Sequence, residues 1–375
     1  MGAQMLSRQI DFGSVRYPFH HGIGCTDQIV DGIVGLEADR YVVIVDANVE
    51  AQHGRPLLER LSRRAQVIEI SMPATERTKS IELVTSALEI AFRHGMTRRS
   101  AVVAMGGGVV GNMAGLMAAL AFRGVRLVHL PTTIIAAMDS VLSLKQAVNG
   151  RLGKNLIGTF HAPSAVFVDH QWLTTLAPRE VRSGLAELAK NALAIVPESA
   201  ELVAEAGRHA GALRAEDLAR LVDPAIDAKA RVMGSDSREK GKGLVLEYGH
   251  TIGHAIELAS PGLLGHGEAV GVGMLAAAEI ATRAYALSER ALEAHRALLA
   301  AIGIGPHLAR TVDPKRVLEL LPYDNKRGYL SPREGEIPMI LLDALGQVRS
   351  GGGGVPLTPV PIAEIERAVS SWARA

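Results

Sequence analysis

Three short segments concentrate side chains able to do chemistry. In EYGHTIGHAIE, His250 and His254 stand one helical turn apart, where two imidazoles share a face and can grip one metal ion. Such a pair is more often structural than ligating, but a third imidazole, His266, follows in the glycine-flanked turn of LGHGEAVGVGM. A dication also needs a carboxylate, and LAELAKNAL offers Glu187, with Lys190 one turn away. Two histidines and a glutamate leave an open coordination position for a substrate, as in catalytic zinc-type sites. Spacing alone does not choose between His254 and His266.

The second segment, AVVAMGGGVVGNMAGLMAAL, reads as a strand, a glycine loop and a helix. Gly106, Gly108 and Gly111 fit G-x-G-x-x-G, whose bare backbone lets a pyrophosphate approach a helix N-terminus. A strand-to-helix turn that needs glycine only for packing would look the same. The acidic residue that usually follows about twenty positions later is missing, and the candidate ribose binder lies upstream instead, as Asp46 at the end of YVVIVD. This inverted order is not that of an ordinary Rossmann domain. In the third segment, HLPTTIIAAMDSVLSLKQAVNGRLGKN, Thr132, Thr133, Asp139, Lys145, Lys154 and Asn155 lie among apolar flanks. Hydroxyls, a carboxylate and two ammonium groups suit an anionic, polyhydroxylated ligand.

The elements that must position these groups change character along the chain. Tyr41–Asp46, Val67–Ser71, Ala101–Met105, Arg126–Pro131 and Ala165–Asp169 are strand-like runs separated by helical patterns, the longest from Thr78 to His94. That alternation predicts an α/β fold with a mostly parallel sheet, with ligands beyond the strand C-termini. From Pro178 to Ile302 the pattern is almost wholly helical, and the chain then closes on IPMILL, a glycine cluster and a final helix.

Composition narrows the function classes. Of 375 residues, 48% are hydrophobic and 21% charged, which is globular and not disordered. Forty basic residues against 39 acidic give +1, so charge offers no case for nucleic acid or an anionic membrane. One cysteine, Cys25, excludes a disulfide framework and suits the cytoplasm. The start lacks the pattern of a signal peptide, and the uncharged run from Ser100 to Phe122 is broken by glycines, so it reads as core and not as a membrane span.

Together these residues resemble the sugar phosphate cyclases, the family of 3-dehydroquinate synthase, from the strand ending in Asp46 to DNKRGY (Asp324 to Tyr329). The resemblance implies a Rossmann-like NAD-binding α/β domain, residues 1–180, and a mainly helical metal- and substrate-binding domain, residues 181–375. It implies Glu187, His250 and His266 as ligands of one Co2+ or Zn2+ ion, with His254 left for catalysis or substrate contact. NAD+ contacts are implied at Asp46, Glu76, Lys79, Gly108, Gly111, Asn112, Thr132, Thr133, Asp139, Ser143, Lys145, Lys154 and Asn155. Substrate contacts are implied at Lys154, Asn155, Lys190 and Lys326, and a homodimer is expected.

Two departures bear on the substrate. Where 3-dehydroquinate synthase has a substrate-binding Arg and an Asn, this chain has Gly243 and Glu247. A site lacking that Arg is poorly suited to a carboxylate, which D-glucose 6-phosphate does not carry. The resemblance then implies carbocyclisation of glucose 6-phosphate with loss of phosphate and no net redox change, toward an aminocyclitol antibiotic core. Lys145 and Glu247 are the candidates for acid and base roles, and Glu247, three residues before His250, would face the same cleft if both lay on one helix. The competing readings are a sibling cyclase making 3-dehydroquinate or a valiolone, and a metal-dependent polyol dehydrogenase that would release NADH.

Overall fold

The β-branched runs of the first half assemble into a seven-stranded sheet. The computed structural model describes residues 5–151, 153–324, 326–331, 333–351 and 354–372. The strands are β1 (Leu6–Asp11), β2 (Arg16–Gly22), β3 (Tyr41–Asp46), β4 (Val67–Met72), β5 (Ala101–Gly106), β6 (Arg126–Pro131) and, after a separate hairpin of β7 (Lys145–Gly150) and β8 (Gly153–Phe160), β9 (Ala165–Asp169). Their order is β1-β2-β9-β6-β5-β3-β4. β1 and β2 pair antiparallel, and every other pair in the sheet is parallel. All five strands expected from the sequence are present. The β1–β2 and β7–β8 hairpins are additions.

Alternation within β3 shows how the sheet is covered on both faces. Val42 and Ile44 join one buried cluster with Val110, Met113 and Met117, whereas Tyr41, Val43 and Val45 join another with Ile29, Leu57 and Phe167. A strand buried on both sides must read as a continuous apolar run, which YVVIVD does. The helix Gly108–Leu120 follows β5 after the single residue Gly107. The uncharged run is therefore a strand and a buried helix, and among the described residues no helix is long and apolar enough to cross a membrane.

By internal contacts the chain divides into two compact units, Met1–Leu176 with Arg214–Arg220, and Ala177–Leu213 with Leu221–Ala375. In the second, the helices Pro178–Ala194 and His250–Ala259 each pack on His266–Ala284. Glycine sets how close they come: a Cβ on Gly267 would lie 2.2 Å from the Ser183 carbonyl oxygen, and one on Gly273 would lie 2.1 Å from that of Gly249. No other residue fits at these crossings. Near the C-terminus, IPMILL contributes to a strand, Glu336–Met339, that pairs with Thr358–Pro361 ahead of the helix Ile362–Ser371.

Candidate active site

Three helices of the second unit bring Glu187, His250 and His266 together, with one donor atom from each within 4.8 Å of the others. Glu187 lies in the buried stretch of Pro178–Ala194. The imidazoles are the first residues of their helices, His250 after the left-handed Gly249 and His266 after Gly265. The Oε1 atom of Glu187 is 3.7 Å from His250 Nε2 and 3.4 Å from His266 Nε2, and it is buried with no hydrogen-bond partner among the described residues. Its Oε2 accepts from Lys190 Nζ at 2.5 Å.

The far side of each ring explains why these nitrogens face inward. His250 Nδ1 donates to the Tyr248 carbonyl at 3.1 Å, and His266 Nδ1 to Glu257 Oε2 at 3.2 Å. Those partners can only accept, so each ring carries a proton on Nδ1 and turns Nε2 toward Glu187. Burial pushes the His250 pKa down to about 3, against the pull of Glu187 and Glu247, so the ring is neutral at ordinary pH. Burial would raise the Glu187 carboxyl, but Lys190 foremost and then the two histidines hold it well below the usual carboxylate range. Burial works against a charged His266, but Glu187 and Glu257 raise its pKa to about 10, so in the protein alone that ring is an imidazolium beside the carboxylate. One carboxylate and two imidazole nitrogens brought together in a buried place form a donor set that fits a divalent cation, which would displace the His266 proton.

A second set shares His250: donor atoms of Glu247, His250 and His254 also lie within 4.8 Å of one another. Glu247 does not reach this place by helical phase, as the sequence reading supposed. It ends the 3-10 turn Lys242–Glu247, and the helix starts only at His250, because Tyr248 is extended and Gly249 takes φ 79°. Lys326 Nζ lies 3.5 Å from Glu247 Oε2 and 2.9 Å from Asp324 Oδ1, and Asp324 Oδ2 meets His254 Nδ1 at 3.4 Å. Lys326, like Lys190, is thus buried against carboxylates. Asn325 of the same segment lies outside the described residues.

In the first unit, strand order accounts for the inverted motif. β3 precedes β5 in sequence but pairs directly with it, Val45 opposite Met105, so Asp46 and Gly106 end adjacent strands. Asp46 Oδ1 caps the following turn through Asn48 N. Gly106, Gly108, Gly111, Asn112, Pro131 and Lys145 line one small pocket at this end of the sheet. A Cβ on Gly106 would meet Val110 at 2.8 Å and one on Gly107 would meet Thr133 at 3.1 Å, so part of the glycine run is demanded by packing. The helix that begins at Gly108 has no side-chain cap, which leaves its first amides to a ligand, and the nearby Thr132 Oγ1 is buried without a partner among the described residues.

The other expected nucleotide residues fall into two groups. Lys79 Nζ donates to Asn155 Oδ1 at 2.5 Å, and Lys154 Nζ lies 3.7 Å from Glu76 Oε2. Asn149 joins them by donating to Glu76 Oε2 and accepting from Asn155 N. Asn112, Thr133 and Ser143 meet local backbone: Asn112 bridges Gly108 O and Ala147 N, Thr133 Oγ1 accepts from Ala136 N, and Ser143 Oγ from Lys145 N. Lys145 is exposed, and Asp139 lies half-buried in the π-helical turn Ala136–Ser140.

The 3-dehydroquinate synthase N-terminal model matches residues 69–183, and the 3-dehydroquinate synthase C-terminal model matches 184–327. The chain belongs to the 3-dehydroquinate synthase family of sugar phosphate cyclases. Among members of this family, 2-deoxy-scyllo-inosose synthase of Streptoalloteichus tenebrarius is 45% identical over 99% of this chain and 96% of its own. The enzyme of the same name from Streptomyces ribosidificus is 46% identical over 96% and 92%. A crystal structure of 2-deoxy-scyllo-inosose synthase complexed with carbaglucose-6-phosphate, NAD+ and Co2+ is 38% identical, with a TM-score of 0.91 over 98% of this chain and 100% of that one. The fold is accordingly the dehydroquinate synthase-like one, a mostly parallel α/β sheet joined to a helical unit.

Sequence reasoning passed over several residues of this cyclase site. Glu257 and Asp324 hold imidazoles, and Glu268 is clamped by Arg179 at 3.3 Å and Arg182 at 2.8 Å while accepting from Gly265 N at the head of the His266 helix. The acids in HAIE and HGE stand within three residues of a histidine, which was the available signal.

Proposed function

We propose that the chain converts D-glucose 6-phosphate to 2-deoxy-scyllo-inosose and inorganic phosphate. The buried Oε1 of Glu187 facing two imidazole nitrogens carries the catalytic reading. The substrate follows from near-full-length similarity to 2-deoxy-scyllo-inosose synthases and from Gly243 and Glu247. Substrate and products balance without an external oxidant, which makes the reaction that of a carbon–oxygen lyase with a recycled cofactor.

Glu187, His250 and His266 would hold the cation, and Asp46, the Gly108–Asn112 turn, Thr132 and the cluster of Glu76, Lys79, Lys154 and Asn155 would hold the dinucleotide. When bound, NAD+ supplies a hydride acceptor for the sugar that is returned within the turnover, and the cation supplies a Lewis acid for sugar hydroxyls. The protein adds proton transfer. Glu247, with Oε2 beside the Lys326 ammonium, is placed to take and return a proton, and His254, held at Nδ1 by Asp324, presents Nε2 as a second acceptor. Lys145, exposed at the rim of the glycine pocket, is the further acid–base candidate. Lys190 and Lys326 would supply positive charge for phosphate and sugar oxygens. A cytoplasmic homodimer completes this reading.

The test is incubation with glucose 6-phosphate, NAD+ and Co2+, followed by mass spectrometry of the carbocycle. 2-Deoxy-scyllo-inosose with catalytic NAD+ and no build-up of NADH absorbance is expected. Stoichiometric NADH without a carbocycle would identify a polyol dehydrogenase instead.

A further inference from the structure

Both imidazoles of the cation site occupy an awkward place. Each is the first residue of a helix, His250 of a helix ending at Ala259 and His266 of one ending at Ala284. A helix N-terminus carries roughly half a positive charge, so two such ends converging on one point repel a cation. Nearby carboxylates must offset them. Glu187 is one, but its other oxygen is already given to Lys190. Glu268, in the first turn of the His266 helix, is committed to Arg179, Arg182 and Gly265 N. Glu247 stands beside His250, and Glu257 stands beside His266, with its Oε2 3.2 Å from Nδ1.

We propose that Glu257 is the positioning residue of His266: it fixes the ring with its proton on Nδ1 and supplies the negative charge that lets a dication sit at two helix N-termini. Two separable properties are involved. A neutral acceptor at position 257 would preserve the tautomer but not the charge. The inference rests on the cation reading above, and it assigns to Glu257 a role in affinity and ligand geometry with no contact to substrate.

The test compares Co2+ binding, by competition with a chelator, and the visible ligand-field spectrum of bound Co2+ in the wild-type chain, Glu257→Gln and Glu257→Ala. Glu257→Gln should weaken Co2+ about 10- to 100-fold and shift the spectrum. Glu257→Ala should do at least as much. Wild-type affinity and spectrum in Glu257→Gln would overturn the charge role, and in Glu257→Ala the whole assignment. If Glu257→Gln does not fold, Glu257→Asp carries the same comparison: withdrawal of the carboxylate by one methylene should weaken binding, and wild-type behaviour would overturn the proposal. A wild-type chain that fails to bind Co2+ would instead defeat the cation reading beneath it.

Discussion

The Oε1 atom of Glu187 lies 3.4 Å from Nε2 of His266, yet no hydrogen bond joins them. Burial works against a charged ring, but Glu187 on this side and Glu257 at the other nitrogen raise its pKa to about 10, so in the protein alone an imidazolium stands beside the carboxylate. A dication entering there takes the place of that proton between the ring and the carboxylate. Lys190 donates to the other carboxylate oxygen.

Removing one ring should therefore empty the site. His250→Ala is expected to lose bound metal and cyclase activity together, as measured by metal analysis of the purified protein and by product formation. A variant that keeps one equivalent of metal would take His250 out of the ligand set.

Glu247 should act differently. Glu247→Gln keeps the shape of the side chain but cannot ionise, and kcat is expected to fall roughly 10²- to 10⁴-fold, the usual worth of a general acid–base. Metal content and NAD+ affinity should change little. Near-normal kcat with a raised KM would mean that Glu247 only hydrogen-bonds the sugar, leaving Lys145 or His254 to move protons.

The glycine crossings make a third case. With 2.2 Å between a Cβ on residue 267 and the Ser183 carbonyl oxygen, Gly267→Ala must push two helices apart. A cost of roughly 1–3 kcal/mol is expected, together with weaker metal binding, because Glu187 and His266 ride on those helices. Thermal melting and metal titration measure the two effects. A variant with wild-type values for both would show that the crossing relaxes freely.

Acid should unfold the second unit partly through His295. The ring is buried, Nδ1 donates to Ala291 O at 2.7 Å, and Nε2 accepts from the Tyr248 hydroxyl at 2.9 Å. Burial pushes its pKa from 6.5 down to about 4, with the Ala291 bond opposing. Its folded pKa is thus below its unfolded one. The stabilisation is complete above pH 6.5 and is lost as pH falls through about 4, at up to roughly 1.4 kcal/mol per unit. His295→Gln should flatten that limb of the urea-midpoint profile between pH 7 and 4. An unchanged slope would assign the acid sensitivity to other groups.

How much of this could be read from the sequence depends on how local each signal is. YVVIVD and AVFVD are strands in any context that buries both faces, so the parallel sheet was legible. β1 and β2, LSRQID and RYPFHHG, mix charge, proline and histidine, and β7 and β8 carry Gly, Asn and Lys, so only their mutual pairing makes them strands. The i, i+4 spacing correctly put His250 and His254 side by side, with ring centroids 5.2 Å apart. It could not show that Glu187 turns to His266, which depends on how three helices cross. The family resemblance supplied that choice. Nor could spacing foresee the break at Gly249, which places Glu247 near His250 by a turn and not by a helix face.

The surfaces that meet at Gly267 and Gly273 are peptide backbone, Ser183 on one side and Gly249 on the other. Backbone offers no rotamers, so the gap between the helices works as a fixed gauge that sets the span of the three donors. Gly243 and Glu247 belong to the short Lys242–Glu247 turn, outside those crossings. Side chains on that turn can be exchanged without resetting the gauge, so a cyclase built this way can change the sugar it accepts while keeping its metal geometry.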